Sequence, residues 1–549
     1  MAKFAAKGVG MSQSVDIIVV GAGFAGLRAL YTFRELGFTV KVLERDDEIG
    51  GVWNFNRYPG ARCDVESFDY SYRFSRELEQ EWRWSERYAQ QPEILEYIRH
   101  VADRFDLRRD IELNTSVMRT EFDETASRWT VDSDDGRSWN AKYLILAMGQ
   151  LSTPKGTVYP GQDDFDGQVI YSAQWPRDGV DYAGKRIAII GTGSSGVQMT
   201  PVIAKTAKHL TVFQRTANYS IPAANAPMSD EEDAAVKANY AERRDQARNS
   251  PSGLGFVPDR RSASEVPMDE REEAFEKAWH RLGFGFALVF KDILLDEKSN
   301  AIASDFVRRK IAEKVKDPWT REKLTPCKFP FGTRRISVDG GYFEAFNRDN
   351  VELVDISETP IESFSKTGIK TTDGIFDFDI VIYATGFDAF TGSLFKPLIM
   401  GKDGLTLKEK WANGPVTQLG LAVNGFPNMF IIQGPGSPSL LANVLLSAED
   451  QIDWLATLLT KARDENIDQV EATHQAELDW VDYVNERAKE TLYLQTPSFY
   501  NGAEMPGKPR VFMPYSGGVR HYRLMMERCA EKGYEGFDLR REPAQAIID

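Results

Sequence analysis

Two stretches of the chain carry the same succession of apolar run, glycine-rich turn and amphipathic segment. Val15-Asp16-Ile17-Ile18-Val19-Val20 predicts a buried strand, and it runs directly into Gly21-Ala22-Gly23-Phe24-Ala25-Gly26. Apolar residues then recur at helical spacing through Leu27, Leu30, Tyr31 and Leu36, and Gly37 ends the helix. A second strand, Thr39 to Leu43, closes on Glu44. The succession returns at Arg186-Ile187-Ala188-Ile189-Ile190, followed by Gly191-Thr192-Gly193-Ser194-Ser195-Gly196, a helix from Val197 and a strand from Leu210 to Phe213. That strand ends on Gln214-Arg215-Thr216, not on an acid. Tyr143 to Gly149 and Ile380 to Gly386 are two further apolar strands with glycine turns. After the second repeat and before Ile380, residues 221–325 are charged and helical in pattern, without a glycine-rich turn.

The glycine spacing has a physical reading. The first glycine permits a tight turn, the second lets backbone approach a pyrophosphate, and the third lets helix pack on strand, with the helix N-terminus facing the phosphates. A lone loop of this kind is weak evidence; the flanking strand and helix and the acid at the next strand end make it strong. Glu44 suits ribose hydroxyls, whereas a carboxylate at Arg215 would repel a 2′-phosphate that a guanidinium binds. The second site therefore reads as one for NADPH. A solvated surface cation is the plainer alternative for Arg215.

The fold class expected is α/β, with two Rossmann-like dinucleotide-binding domains and a helical insertion. The glycine-turn strands Tyr143 to Gly149 and Ile380 to Gly386 are similar to those of two-dinucleotide flavoproteins. The boundaries this implies are a flexible N-terminal tail over 1–14, a discontinuous FAD domain over 15–150 and 387–549, an NADP domain over 151–220 and 326–386, and the insertion over 221–325. Composition changes little of this. A chain of 549 residues is too long for one core. The net charge of −15 argues against nucleic acid or an anionic membrane as main partner. No apolar run is long enough to cross a bilayer, and the N-terminal residues lack a signal-peptide core. Cys63, Cys327 and Cys529 lie far apart and the five histidines form no ligand spacing, so no metal site and a reducing, cytoplasmic setting are expected.

The chemistry narrows by elimination first. A dithiol reductase needs paired cysteines beside its flavin, and Gly50-Gly51-Val52-Trp53-Asn54-Phe55 has none. Single-component hydroxylases normally carry one dinucleotide fold. Gly51-Val52-Trp53-Asn54-Phe55-Asn56-Arg57-Tyr58-Pro59-Gly60-Ala61-Arg62-Cys63-Asp64 then resembles the flavin-side motif of type I Baeyer–Villiger monooxygenases. Phe165-x-Gly167-x-x-x-Tyr171-x-x-x-Trp175-Pro176 resembles their fingerprint FxGxxxHxxxWP, with Tyr171 in place of the histidine. The resemblance runs from about residue 14 to the C-terminus and is nearest the phenylacetone and steroid monooxygenase branch. Tyr143 to Gly149 and Ile380 to Gly386 resemble the closing strands of two-dinucleotide flavoproteins, and Gly434-Pro435-Gly436-Ser437-Pro438 the loop that abuts the isoalloxazine.

What the resemblance implies is an FAD- and NADPH-dependent enzyme that turns ketones into esters or lactones with O2, through a C4a-peroxyflavin. The alternative is a sibling that oxidises nitrogen or sulfur. For FAD it implies Gly21, Gly23, Ala25, Gly26, Glu44, Gly51, Val52, Trp53, Asp64, Tyr70, Val117 and Val444. For NADP it implies Arg62, Cys63, Asp64, Gly191, Thr192, Gly193, Ser194, Ser195, Gly196, Gln198, Arg215, Thr216, Arg334, Arg335 and Phe499. Phe499 stands where the family carries a tryptophan, so an indole donor is lost. Arg335, oriented by Asp64, is the implied catalytic cation. Taken alone, adjacent arginines are more often surface charges. The implied substrate pocket is Gln150, Leu151, Ser439, Leu440, Leu441 and Val444. The expected partners are a small ketone and O2, with the chain a monomer or weak homo-oligomer.

Overall fold

The computed structural model describes residues 13–541 apart from Val257 and Glu504. Most of the expected N-terminal tail lies outside the described residues. Its last two residues do not: Gln13 and Ser14 extend the first strand and pair with Trp139 and Asn140.

Gln13–Val20 lies between Val40–Leu43 and Ser138–Leu146 and runs parallel to both. Its last four residues are all buried, as a parallel strand covered on both faces requires. An antiparallel hairpin, Val117–Asp123 and Arg128–Ser133, widens the sheet from the Ser138–Leu146 side. The chain comes back much later, when Leu398–Met400 joins the hairpin and Met429–Ile431 pairs with Ser138–Leu146. The result is an eight-stranded sheet.

The second sheet has five strands, all parallel, in the order Val351–Asp355, His209–Gln214, Arg186–Ile190, Ile380–Tyr383, Gln168–Tyr171. The helices Phe24–Glu35 and Ser194–Ile203 start inside their glycine loops, ahead of the Leu27 and Val197 that the apolar spacing suggests. Gly23 and Gly193 take the extended conformation of a helix cap, so winding begins at the next residue.

The stretch between the sheets' halves folds into the helices Asp230–Ala238, Tyr240–Asn249, Met268–Trp279, Glu297–Lys314 and Pro318–Leu324. It packs on both sides. Arg243 reaches Glu66 at 2.6 Å and Asp69 at 2.8 Å, while Phe275, Phe286 and Phe306 share a core with Val197 and Ile203. The apolar run after Gly283 forms a short 3-10 helix, Gly283–Leu288, and its Phe286, with Phe290 just beyond it, is a core residue.

Candidate active site where two glycine loops meet

The two loops are built under one steric constraint. A Cβ on Gly26 would overlap the Gly21 carbonyl oxygen, and a Cβ on Gly196 would overlap that of Gly191. Helix and strand approach too closely for any side chain there. Gly193 differs: it has no strain and no neighbour within 4 Å, so a side chain would only fill open cavity. Such a position suits a ligand that comes against bare backbone.

One cavity of about 980 Å³ runs past both loops. On the first side it is lined by Gly21, Gly23, Ala25, Glu44, Gly51, Val52, Trp53, Tyr70, Val117 and Val444, and on the second by Gly191, Thr192, Gly193, Ser194, Ser195, Gln198, Arg215, Thr216 and Arg334. Arg62, Cys63, Asp64, Arg335 and Phe499 line it between these, with Gln150, Leu151 and Leu440. Four expected residues stand off it. Gly26 and Gly196 serve helix packing. Ser439, at φ 47°, turns its hydroxyl to Gln150 Oε1, and Leu441 packs in an apolar cluster with Tyr500 and Phe512. The short 3-10 turn Ser439–Leu441 leaves only Leu440 of the three facing the cavity.

Glu44 is buried, and its carboxylate accepts the backbone N–H of Ala22 at 2.7 Å and of Asp46 at 3.0 Å. Burial pushes its pKa up, against those two bonds. Trp53 donates to the Tyr70 hydroxyl at 3.1 Å. Burial also raises the Cys63 thiol, with the Asp64 charge adding to it, so no thiolate is offered there. Arg62 is committed to Glu86 at 3.2 Å, and its carbonyl receives Gln198 Nε2 at 3.1 Å. The Thr192 hydroxyl donates to the Thr216 carbonyl at 3.1 Å, tying the second loop to its strand end. Arg215 is exposed, beside the half-buried Tyr159; Arg334 covers the Phe329 ring at 4.8 Å.

Arg335 sits between the halves. Its Nη2 and Nε donate to Asp64 Oδ2 at 2.6 and 3.2 Å, its Nη1 donates to the Leu440 carbonyl at 2.7 Å, and its plane lies 4.3 Å from the Phe284 ring centre. Burial opposes its charge most strongly, but the charge and hydrogen bond of Asp64, together with Tyr500 and Cys63, more than offset this, and the guanidinium is protonated. A cation fixed on three sides meets the leucine of the expected substrate pocket.

The departures have visible consequences. Tyr171 stacks on Tyr383 with centroids 4.9 Å apart, and its hydroxyl donates to the Thr157 carbonyl at 3.2 Å. Thr157 and Tyr159 both line the cavity, so Tyr171 braces its wall. Phe499 lines the cavity as an apolar ring against Tyr500, 4.4 Å away. Residues that the sequence reading missed also face in: Tyr159, Asn218 and Gln433. Gln433 had one signal, a polar side chain ending the apolar run Met429 to Ile432 just before Gly434.

The profile of the pyridine nucleotide-disulphide oxidoreductase family matches residues 18–239. The chain is 41% identical, over 94% of its length and 95% of the relative's, to a Baeyer–Villiger monooxygenase of Pseudooceanicola batsensis. It is 38% identical to the phenazine N-monooxygenase of Lysobacter antibioticus, over 97% of this chain and 98% of that one. A solved steroid monooxygenase bound to NADP superposes with a TM-score of 0.93 at 50% identity, covering 96% of this chain and 99% of that one. Full-length identity of this order, on a cavity shared by two glycine loops and an Asp64–Arg335 pair, makes the chain a member of the Baeyer–Villiger monooxygenase family.

Proposed function

We propose that this enzyme uses NADPH and O2 to insert an oxygen atom beside a ketone carbonyl, with FAD on the Gly21 side of the cavity and NADPH on the Gly191 side. The observation that carries this is that a single cavity is lined by both glycine loops and, between them, by a guanidinium anchored to Asp64 and Leu440. The residues suit both groups: bare backbone at Gly193 for a pyrophosphate, a buried carboxylate at Glu44 for ribose, and Arg215 for a 2′-phosphate. When bound, the flavin supplies the oxygen-activating redox chemistry, with hydride from NADPH.

The chain's own contribution is electrostatic and geometric. As oxygen transfers, negative charge moves onto the former carbonyl oxygen, and Arg335 offers it a fixed positive group that needs no reorganisation. Asp64 keeps that group charged and aimed; the Leu440 carbonyl fixes its far nitrogen beside the apolar wall where a ketone fits. Arg215, Thr216 and Arg334 hold the phosphate end of NADPH. A reading as a nitrogen oxidant has the phenazine N-monooxygenase as its support.

The test is product analysis with NADPH and air on a cyclic ketone, an aryl sulfide and a tertiary amine. The proposal expects the ketone to gain one oxygen atom as lactone, with NADPH consumed in step. Oxidation of amine and sulfide with the ketone returned unchanged would replace it by the second reading.

A further inference from the structure

Gln433 is 6% exposed and lines the cavity, yet its side-chain Oε1 is buried without a partner. Buried polar atoms are rarely left unmade, so such an atom asks for an explanation. Its backbone φ of 59° adds to the oddity, because a residue with a Cβ is uncommon there.

The neighbours fix which amide atom is the free one. The Tyr522 hydroxyl donates to the Leu419 carbonyl at 2.5 Å, and a carbonyl only accepts. That hydroxyl must then accept from Gln451, whose Nε2 lies 2.7 Å away. The other atom of Gln451, Oε1, is therefore an acceptor. It receives the Gln433 backbone N–H at 2.8 Å and Gln433 Nε2 at 3.0 Å, while Gln433 Nε2 also reaches the Ser447 hydroxyl at 3.0 Å. Both hydrogens of the Gln433 amide are thus spent on the protein. A flipped amide would set its oxygen against Gln451 Oε1. The atom left without a partner is an acceptor, on a residue that lines the cavity, and it is held rigid by a chain of bonds that starts at a carbonyl.

The place of Gln433 narrows its partner. It follows the strand Met429–Ile431, which pairs with Ser138–Leu146, itself paired with the Gln13–Val20 strand that feeds Gly21. It thus belongs to the sheet of Gly21 and Glu44, not to that of Gly191 and Arg215. A ketone has no N–H or O–H to give. On the flavin half of FAD the donors are the ribityl hydroxyls and the ring N3–H. We propose that Gln433 Oε1 accepts a hydrogen bond from one of these donors and helps hold the flavin half in place. The inference rests on the reading of the Gly21 side as the FAD site.

Its test uses enzyme stripped of FAD and titrated, without NADPH, by flavin fluorescence. The titrants are FAD, FAD methylated at N3, and FAD analogues lacking single ribityl hydroxyls. Wild type should bind the analogue that lacks the partner donor about tenfold more weakly than FAD, and Gln433→Leu should bind FAD about tenfold more weakly. That one analogue should lose nothing further in Gln433→Leu, and its identity tells ring from ribityl. Gln433→Met, unbranched and of similar length, repeats the comparison should the leucine variant not fold. The proposal is overturned if wild type binds every analogue as it binds FAD, or if the variants weaken all flavins by one factor. Failure of wild type to take up FAD at all would instead overturn the assignment of the Gly21 side.

Discussion

The two strand ends differ in a way that the shared loop geometry hides. Glu44 is 4% exposed and bound to two backbone N–H groups, so it is part of the fold before any ligand arrives. Arg215 is exposed, and its strand end is tied to the glycine loop by the Thr192–Thr216 bond and by the Gly191 N–H on the Phe213 carbonyl, not by its own side chain. On the proposed reading, the first arrangement fits a cofactor that stays, and the second fits one that must enter and leave. The lesson is that a glycine loop specifies a phosphate, while the burial of the strand-end residue tells resident cofactor from exchanging cosubstrate.

The largest expected effect breaks the resident side. Glu44→Ala strands the buried Ala22 N–H and the half-buried Asp46 N–H and removes the ribose acceptor; with charge-assisted bonds worth about 1.5–3 kcal/mol each, FAD affinity should fall by about 100-fold or more. Gel filtration should then yield colourless protein; a variant that keeps its yellow colour would contradict the comparison. Next in size, Arg215→Ala should cut the preference for NADPH over NADH by about 10- to 100-fold without loss of FAD. Steady-state kinetics with both coenzymes measure it, and an unchanged ratio would remove Arg215 from the phosphate. Smallest is Tyr171→Phe, which deletes the bond to Thr157 but keeps the stack on Tyr383. A few-fold rise in hydrogen peroxide released per NADPH consumed is expected, with coenzyme preference unmoved. No rise would mean that the brace does not matter to turnover.

Both glycine loops were legible because their requirement is local: strand, turn and helix are contiguous. The same holds for Glu44 and Arg215, each fixed by where a strand stops. Asp64 and Arg335 lie far apart in sequence, and nothing in spacing joins them; only family resemblance did so. The expected pocket residues Ser439 and Leu441 stand off the cavity because a 3-10 turn sends neighbouring side chains to different sides, which no apolar pattern encodes. His521 stands among charged neighbours in the sequence, yet it is half-buried with its Nδ1 2.5 Å from the Tyr515 hydroxyl, a contact no local pattern gives. Gln433 escaped notice for the reason that makes it informative: its acceptor is set by a hydrogen-bond chain through Gln451 and Tyr522 that exists only once the helix Val444–Asp464 is packed.

The central claim is that oxygen is steered into the ketone where the two halves meet, at Arg335. The most direct measurement is the split between ester and hydrogen peroxide in Arg335→Ala, given NADPH, air and a ketone that wild type accepts. Because Glu44 and the Gly21 loop are untouched, the variant should keep FAD and still oxidise NADPH. Ester formation should fall by about 10²–10³-fold, with peroxide in its place. Arg335→Lys should recover little, since an ammonium lacks the fork that serves Asp64 and the Leu440 carbonyl together. Ester formed by the alanine variant at close to the wild-type rate would contradict the account.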